Sequence, residues 1–510
     1  MPSIQSPESY VRLIVNARGG EGADENPHHA AAGILERSRL AASAKAPTIA
    51  SMHTRIANTP DSRIPCPGSD PRPGHPHAAK RKGEFLRTLP GILAVVLLFS
   101  ARAFAVDIER DPINYSQAKD ANVITRLEEK ILAGTVALQH DEQFGYLPAL
   151  LKALGVSTSS QTLVFSKTSL QLDRIGPRTP RAIYFNDDVF VGYCHRSEML
   201  EITAADPKLG AVFYAFDQDM RDKPKFRRQT NRCLLCHASS SSMGMPGNVL
   251  TSVYPESDGQ PNRSMDFFRV DHSTPFQRRW GGWYVSGTTG GQVHLGNMIV
   301  NGMRVPDEKE LTATSNLVNL EDRFRPKMHL TPHSDVVALM VMEHQAEMHN
   351  RLTRANFSVR EILFGQPAGN TAAPEKGRSA ETERRIRDAC EPAVRYLLFS
   401  GETPLTDPVK GTTPFAGEFA ARGPRDPKGR SLREFDLERR LFKYPCSYMI
   451  YSEMFDTLPD AALECIYRRL WDILHAKSGE AAFEHLSEGD RQAIIGILRE
   501  TKPTLPAYWK

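Results

Sequence analysis

The stretch Asn231-Arg232-Cys233-Leu234-Leu235-Cys236-His237 constrains this chain more than any other. Two thiols three positions apart with a histidine directly after them form the attachment pattern of c-type haem. The chemistry asks for that spacing. Each thiol adds across one vinyl group of the porphyrin to make a thioether, and the adjacent imidazole reaches the iron from the proximal side. Cys233 and Cys236 are therefore expected to hold the ring and His237 the metal, which makes one covalent haem c the expected cofactor.

Three other readings compete with this one. A Cys-x-x-Cys pair also serves as half of a zinc site, as a redox disulfide, or as a structural pair in an interaction module. Zinc asks for a second pair. Of the seven cysteines, Cys66, Cys194, Cys390, Cys446 and Cys465 all stand isolated in the sequence. A thioredoxin-like motif asks for a βαβ context that the flanking pattern lacks. The same isolation argues against a disulfide framework as the organiser of the fold and leaves the other thiols as buried single groups or an occasional bridge.

An export signal strengthens the haem reading, because c-type maturation happens outside the cytoplasm. Residues 1–79 are rich in Pro, Gly, Ser, Ala and His with no sustained apolar periodicity, and read as disordered or as an over-extended gene start. Within 80–105, Lys80-Arg81-Lys82 and Arg87 precede an apolar run from Leu89 to Phe99 that ends at Ala103-Phe104-Ala105, the three parts of a secretory signal. That run falls short of the about 20 residues a membrane span takes. The mature chain is expected to start near Val106 and to be periplasmic, touching the membrane only through its signal.

With 510 residues, 40% hydrophobic and 24% charged, the chain can bury a sizeable core in two or three domains. Its net charge of +4 includes the basic leader and gives no case for a nucleic-acid partner. The expected fold class is α+β, with an antiparallel sheet and helices around the haem over 106–364, a linker over 365–379 and a mainly helical region over 380–510. Helical spacing appears from Ala121 to His140 and from Tyr146 to Leu154. Strands are expected at Thr162–Phe165, Ala182–Phe185, Val189–Tyr193 and Ala211–Phe216, with Val293–Val300 also extended. A strong helix is expected from Ser334 to Asn356, capped by Ser334 or Asp335, with Val336, Val337, Leu339, Met340, Val341, His344 and Met348 along or near one face. Further helices are expected at Ala380–Leu398, Arg433–Phe442, Ala461–Ala476 and Ser487–Glu500.

Several segments together resemble a family of exported bacterial proteins that carry a cytochrome c haem motif. They are Leu163–Ser169, Pro180–Asp187, Asp206–Tyr214, Arg279–Val285, Met342–Gln345, Phe435–Leu437 and Tyr444–Ser452. The resemblance covers roughly residues 106–505. It implies haem and export but supplies no substrate; the residues themselves place a sheet-and-helix framework around the motif in place of the compact helical cytochrome c fold.

Whether such a protein carries electrons or acts on a small ligand turns on the sixth iron position, filled in the first case and open in the second. His344 is the leading candidate ligand, because a side chain on a long helix is held at a fixed distance; His294, Met298, Met340, Met348, Met243 and Met245 are the others. Arg278 and Arg279 are placed against haem propionates, since a planar guanidinium grips a carboxylate with two bonds. The competing reading for the arginines is a solvated pair. Trp280 and Trp283, with Tyr284, suit a flat ring; core packing without cofactor contact is the competing reading for these aromatics. The expected function is periplasmic electron transfer with redox proteins as partners. The alternative is a haem enzyme or gas-binding sensor in which Arg278 and His294 face the ligand.

Overall fold

The computed structural model describes residues 107–219, 225–366, 377–476 and 480–510. The leader, the signal segment and most of the expected linker lie outside the described residues. All described residues belong to one compact unit.

Its centre is an antiparallel sheet. Strands β1 (Thr162–Val164), β2 (Arg181–Phe185), β3 (Val189–Tyr193), β4 (Met199–Asp206), β5 (Gly210–Asp217) and β6 (Phe226–Gln229) form a meander, and β7 (Trp283–Tyr284) adds to the free edge of β1, giving the order β6-β5-β4-β3-β2-β1-β7. Side chains alternate across it. One face carries Tyr184, Val191, Ile202, Val212 and Phe216, which pack against helices α1 (Val123–Leu132) and α2 (Leu147–Leu154) through Ile124, Leu127, Leu147 and Leu150. The opposite face carries Phe185 and Phe190 toward a second core built around a long helix. Between β6 and β7 lies the one-turn helix α3 (Arg232–His237), which contains the Cys-Leu-Leu-Cys-His stretch.

The helical part follows: α4 (Glu308–Ser315), α5 (Val336–Phe364), α6 (Ala380–Leu397), α7 (Phe415–Ala421), α8 (Asp460–His475) and α9 (Glu488–Thr501). The α+β framework with an antiparallel sheet and a mainly helical C-terminal region is thus present as expected. Helices α5, α6, α8 and α9 share one core, so the packing continues across the segment read as a linker.

Every residue of α5 from Val336 to Asn350 is buried, polar ones included. The expected single apolar face therefore understates this helix, which is enclosed on all sides. Asp335 starts it. Its carboxylate accepts from the amides of Val337 (2.8 Å) and Ala338 (3.2 Å) in the helix and from those of Thr412 and Thr413 (both 2.8 Å) in the C-terminal region.

Three local expectations are corrected. The helix from Ala121 stops at Leu132 because Gly134 takes a left-handed φ of 72°. Val293–Val300 is not a strand: Asn297 turns at φ 67° and its amide bonds both the N–H and the C=O of Val285. Arg433–Phe442 is not a helix, since Asp436 caps the amides of Glu438 and Arg439 in a turn with Leu437 at φ 56°. Strands β4, β6 and β7 are absent from the expected set; β4 alternates buried and half-buried residues along its length, a period the sequence displays, whereas β6 has one apolar residue, Phe226, and β7 only two residues.

Asp335→Ala removes a helix cap and orphans two half-buried amides elsewhere, and is expected to cost about 2–4 kcal/mol of stability. A urea denaturation midpoint within error of the parent would contradict this account of the cap.

Candidate functional site

Helix α3 puts Cys233 and Cys236 on one side of a single turn, as residues three apart must lie. Both are free thiols, Cys233 half-buried and Cys236 exposed. Burial pushes the Cys233 thiol up to about 11 and raises Cys236 as well. A reactive redox pair lowers the pKa of its attacking cysteine, so these thiols lack the activation that such a pair uses.

His237 closes the turn. Its Nδ1 lies 2.9 Å from the carbonyl oxygen of Gly247, and the amide of Gly247 in turn donates to the carbonyl of His237 at 2.9 Å. An Nδ1–H donated to a backbone carbonyl selects the tautomer whose lone pair sits on Nε2. Among the described residues Nε2 has no hydrogen-bond partner. Burial lowers the imidazole pKa, which favours the neutral, ligating form. The Phe213 ring on β5 lies 4.8 Å from the imidazole and gives it a wall.

The loop supplying that carbonyl is clamped from α5. Asn350 donates through Nδ2 to the Asn248 carbonyl (2.7 Å) and accepts from the Asn248 amide through Oδ1 (3.0 Å). Gly247 must be glycine here, since a Cβ would collide with the Asn350 side chain. Farther along α5, Arg354 donates to the Met243 carbonyl at 2.8 Å. From within the loop, Ser242 Oγ donates to the His237 carbonyl at 2.9 Å. Sequence reading missed Gly247, Asn350 and Arg354. The sole trace was the glycine itself, because a contact across a hundred residues leaves no local pattern.

The other expected site residues lie elsewhere. Arg279 is buried and ion-paired with Glu343 at 2.5 Å, and also donates to the carbonyls of Thr274 and His272. Trp280 Nε1 donates to the second Glu343 oxygen at 3.0 Å, and burial pushes the Glu343 carboxyl up to about 8 against the pull of Arg279. Trp283 donates to the Thr251 carbonyl, and Tyr284 Oη to that of Pro177. Arg278 is exposed, with its guanidinium 5.2 Å from the centre of the Phe268 ring. Among the described residues no hydrogen bond, ion pair or ring contact joins these side chains to α3.

His344 is fully enclosed, stacked on Phe399 at 4.4 Å. Its Nδ1 lies 3.0 Å from Nδ1 of His272 and its Nε2 2.8 Å from Oγ of Ser447, so both ring nitrogens are engaged. His294 is engaged likewise, through Nε2 to the Ser315 carbonyl and Nδ1 to the Gly296 amide, each at 3.1 Å.

Among the described residues no group of three or more His, Cys, Asp or Glu is disposed to hold a bare metal ion. A haem iron asks for no such group, because the porphyrin supplies four ligands. The donor set on α3 fits a covalent haem: two unpaired thiols on one turn, an imidazole with Nε2 free, and apolar Leu235 left 49% exposed beside them. Comparison with protein-family models, curated proteins and solved structures finds no match for the chain.

Asn350→Ala is expected to loosen the 238–248 loop while leaving α5 helical. Hydrogen–deuterium exchange should accelerate about tenfold or more at the Asn248 amide, with no change in the amides of α9; equal protection in parent and variant would show that Asn350 clamps nothing.

Proposed function

We propose that this chain is an exported monohaem c-type cytochrome, of the kind its sequence resembles, that passes single electrons between protein partners. The observation that carries the reading is the His237 imidazole, tied through Nδ1 to Gly247 with Nε2 left free, directly after two unpaired thiols. Cys233 and Cys236 would hold the porphyrin and His237 the iron. The bound haem supplies a one-electron couple. The chain's own part is to fix that group: Asn350 and Gly247 set the imidazole plane, Phe213 walls it, and covalent anchorage stops the cofactor from leaving. Anchor residues at the surface, with Cys236 and Leu235 exposed, suit exchange with a docked redox protein.

The sixth position is not given to His344 here, because leaving its present contacts would strip buried partners from His272 and Ser447. His294 has the same difficulty. With both histidine candidates committed elsewhere, a methionine ligand or an open distal side is left, and the open side keeps the haem enzyme or small-ligand sensor as a second reading.

Haem staining of the exported chain after denaturation should be positive and should vanish in Cys233→Ala/Cys236→Ala; a stain that survives in the double variant rules out the attachment points. The ferric absorption spectrum of His344→Ala should match that of the parent. Carbon monoxide added to the reduced protein separates the two readings: no binding supports the electron carrier, and rapid binding with a high-spin ferric spectrum supports the enzyme or sensor.

A further inference from the structure

Two cysteines that serve no part of the haem site meet in the helical region. Cys390 lies on α6, fully buried, and Cys465 lies on α8, half-buried. Both are free thiols packed in the one core that α6 and α8 share, with their side chains within interacting reach of each other. Two ion pairs tie these segments together, one beside the thiols and one ahead of the first turn of α6. Arg469 reaches Glu391, the residue after Cys390, at 2.9 Å, and Arg378 reaches Glu464, the residue before Cys465, at 2.7 Å. The remaining described thiols outside the motif, Cys194 and Cys446, are buried free thiols.

We propose that Cys390 and Cys465 close to a disulfide that staples α6 to α8 when the chain meets an oxidising disulfide, as an exported protein does. The inference rests on the export half of the function proposed above and not on the haem. Cys465 is the attacking group, being the more exposed of the two and held below its ordinary pKa by the Cys390 side chain. Its thiolate attacks one sulfur of a protein or glutathione disulfide and expels one thiolate. Cys390 then gives up its proton and attacks Cys465 Sγ, expelling the second. The chain loses two protons and two electrons, and the oxidant's disulfide takes up both as two thiols. The buried partner thus resolves a mixed disulfide formed at the accessible one. The bond closes a long loop that holds α7 and the turns around Asp436, which restricts the unfolded chain.

The test uses the full-length exported protein, as purified and after equilibration with oxidised glutathione. It is denatured without reduction, alkylated and mapped by mass spectrometry. The expected result is a Cys390–Cys465 linked peptide, lighter by two hydrogens than its separate parts, with Cys194 and Cys446 alkylated. Reduction should lower Tm by about 5 °C in the parent and leave Tm unchanged in Cys390→Ser/Cys465→Ser. Alkylation of both Cys390 and Cys465 in the glutathione-treated sample overturns the proposal. Haem absorbance of the same sample is read separately: a linked peptide without haem removes the cytochrome reading and leaves the disulfide, and haem with two free thiols does the reverse.

Discussion

The structure depends on burying a run of polar side chains in the middle of one helix. Glu343, His344, Gln345, Glu347 and Asn350 lie on α5 in a stretch with no solvent face, and a buried polar group without a partner costs roughly 1–3 kcal/mol, more if charged. Each therefore draws a partner from a different segment. Glu343 takes Arg279 and Trp280, His344 takes His272 and Ser447, and Gln345 takes the Asn186 carbonyl and the Tyr448 hydroxyl. Glu347 takes Arg269 and Arg351, and Asn350 takes both backbone groups of Asn248. The helix is a spine to which the sheet, the loops after the motif and the helical region are all tied.

That arrangement explains why the motif, at the surface on a helix of one turn, has a defined geometry. A turn so short has little stability of its own. Its histidine is oriented by a loop, and the loop is held by Asn350 and Arg354 at the outer half of the spine. The same logic accounts for Arg279 and Trp280. They satisfy Glu343 inside the core, so cation and indole are structural partners of α5.

Much of the fold was legible because it follows from local periodicity. Val189–Tyr193 matches its expected bounds, Gly210–Asp217 runs one residue beyond its expectation at each end, and Asp335, one of the two residues expected to cap α5, does so through its side-chain oxygen. Arg433–Phe442 was misread because its apolar spacing is helical while Asp436 captures the amides a helix would use. Val293–Val300 was misread because a side-chain bridge from Asn297 to Val285 joins segments whose pairing no local pattern reveals.

What the sequence by itself determined is the chemistry within one turn: two thiols and an imidazole at fixed spacing, whose meaning is carried by covalent distance along the chain. What only the tertiary structure decided is which distant groups those residues meet. His344 and Asn350 stand six positions apart on one helix, and both are polar and buried. One is enclosed by His272, Phe399 and Ser447, and the other reaches the loop that orients His237. Sequence spacing singles out His344 and passes over Asn350. The difference arises from which segments fold against each turn of the helix, a long-range contact that local pattern does not encode.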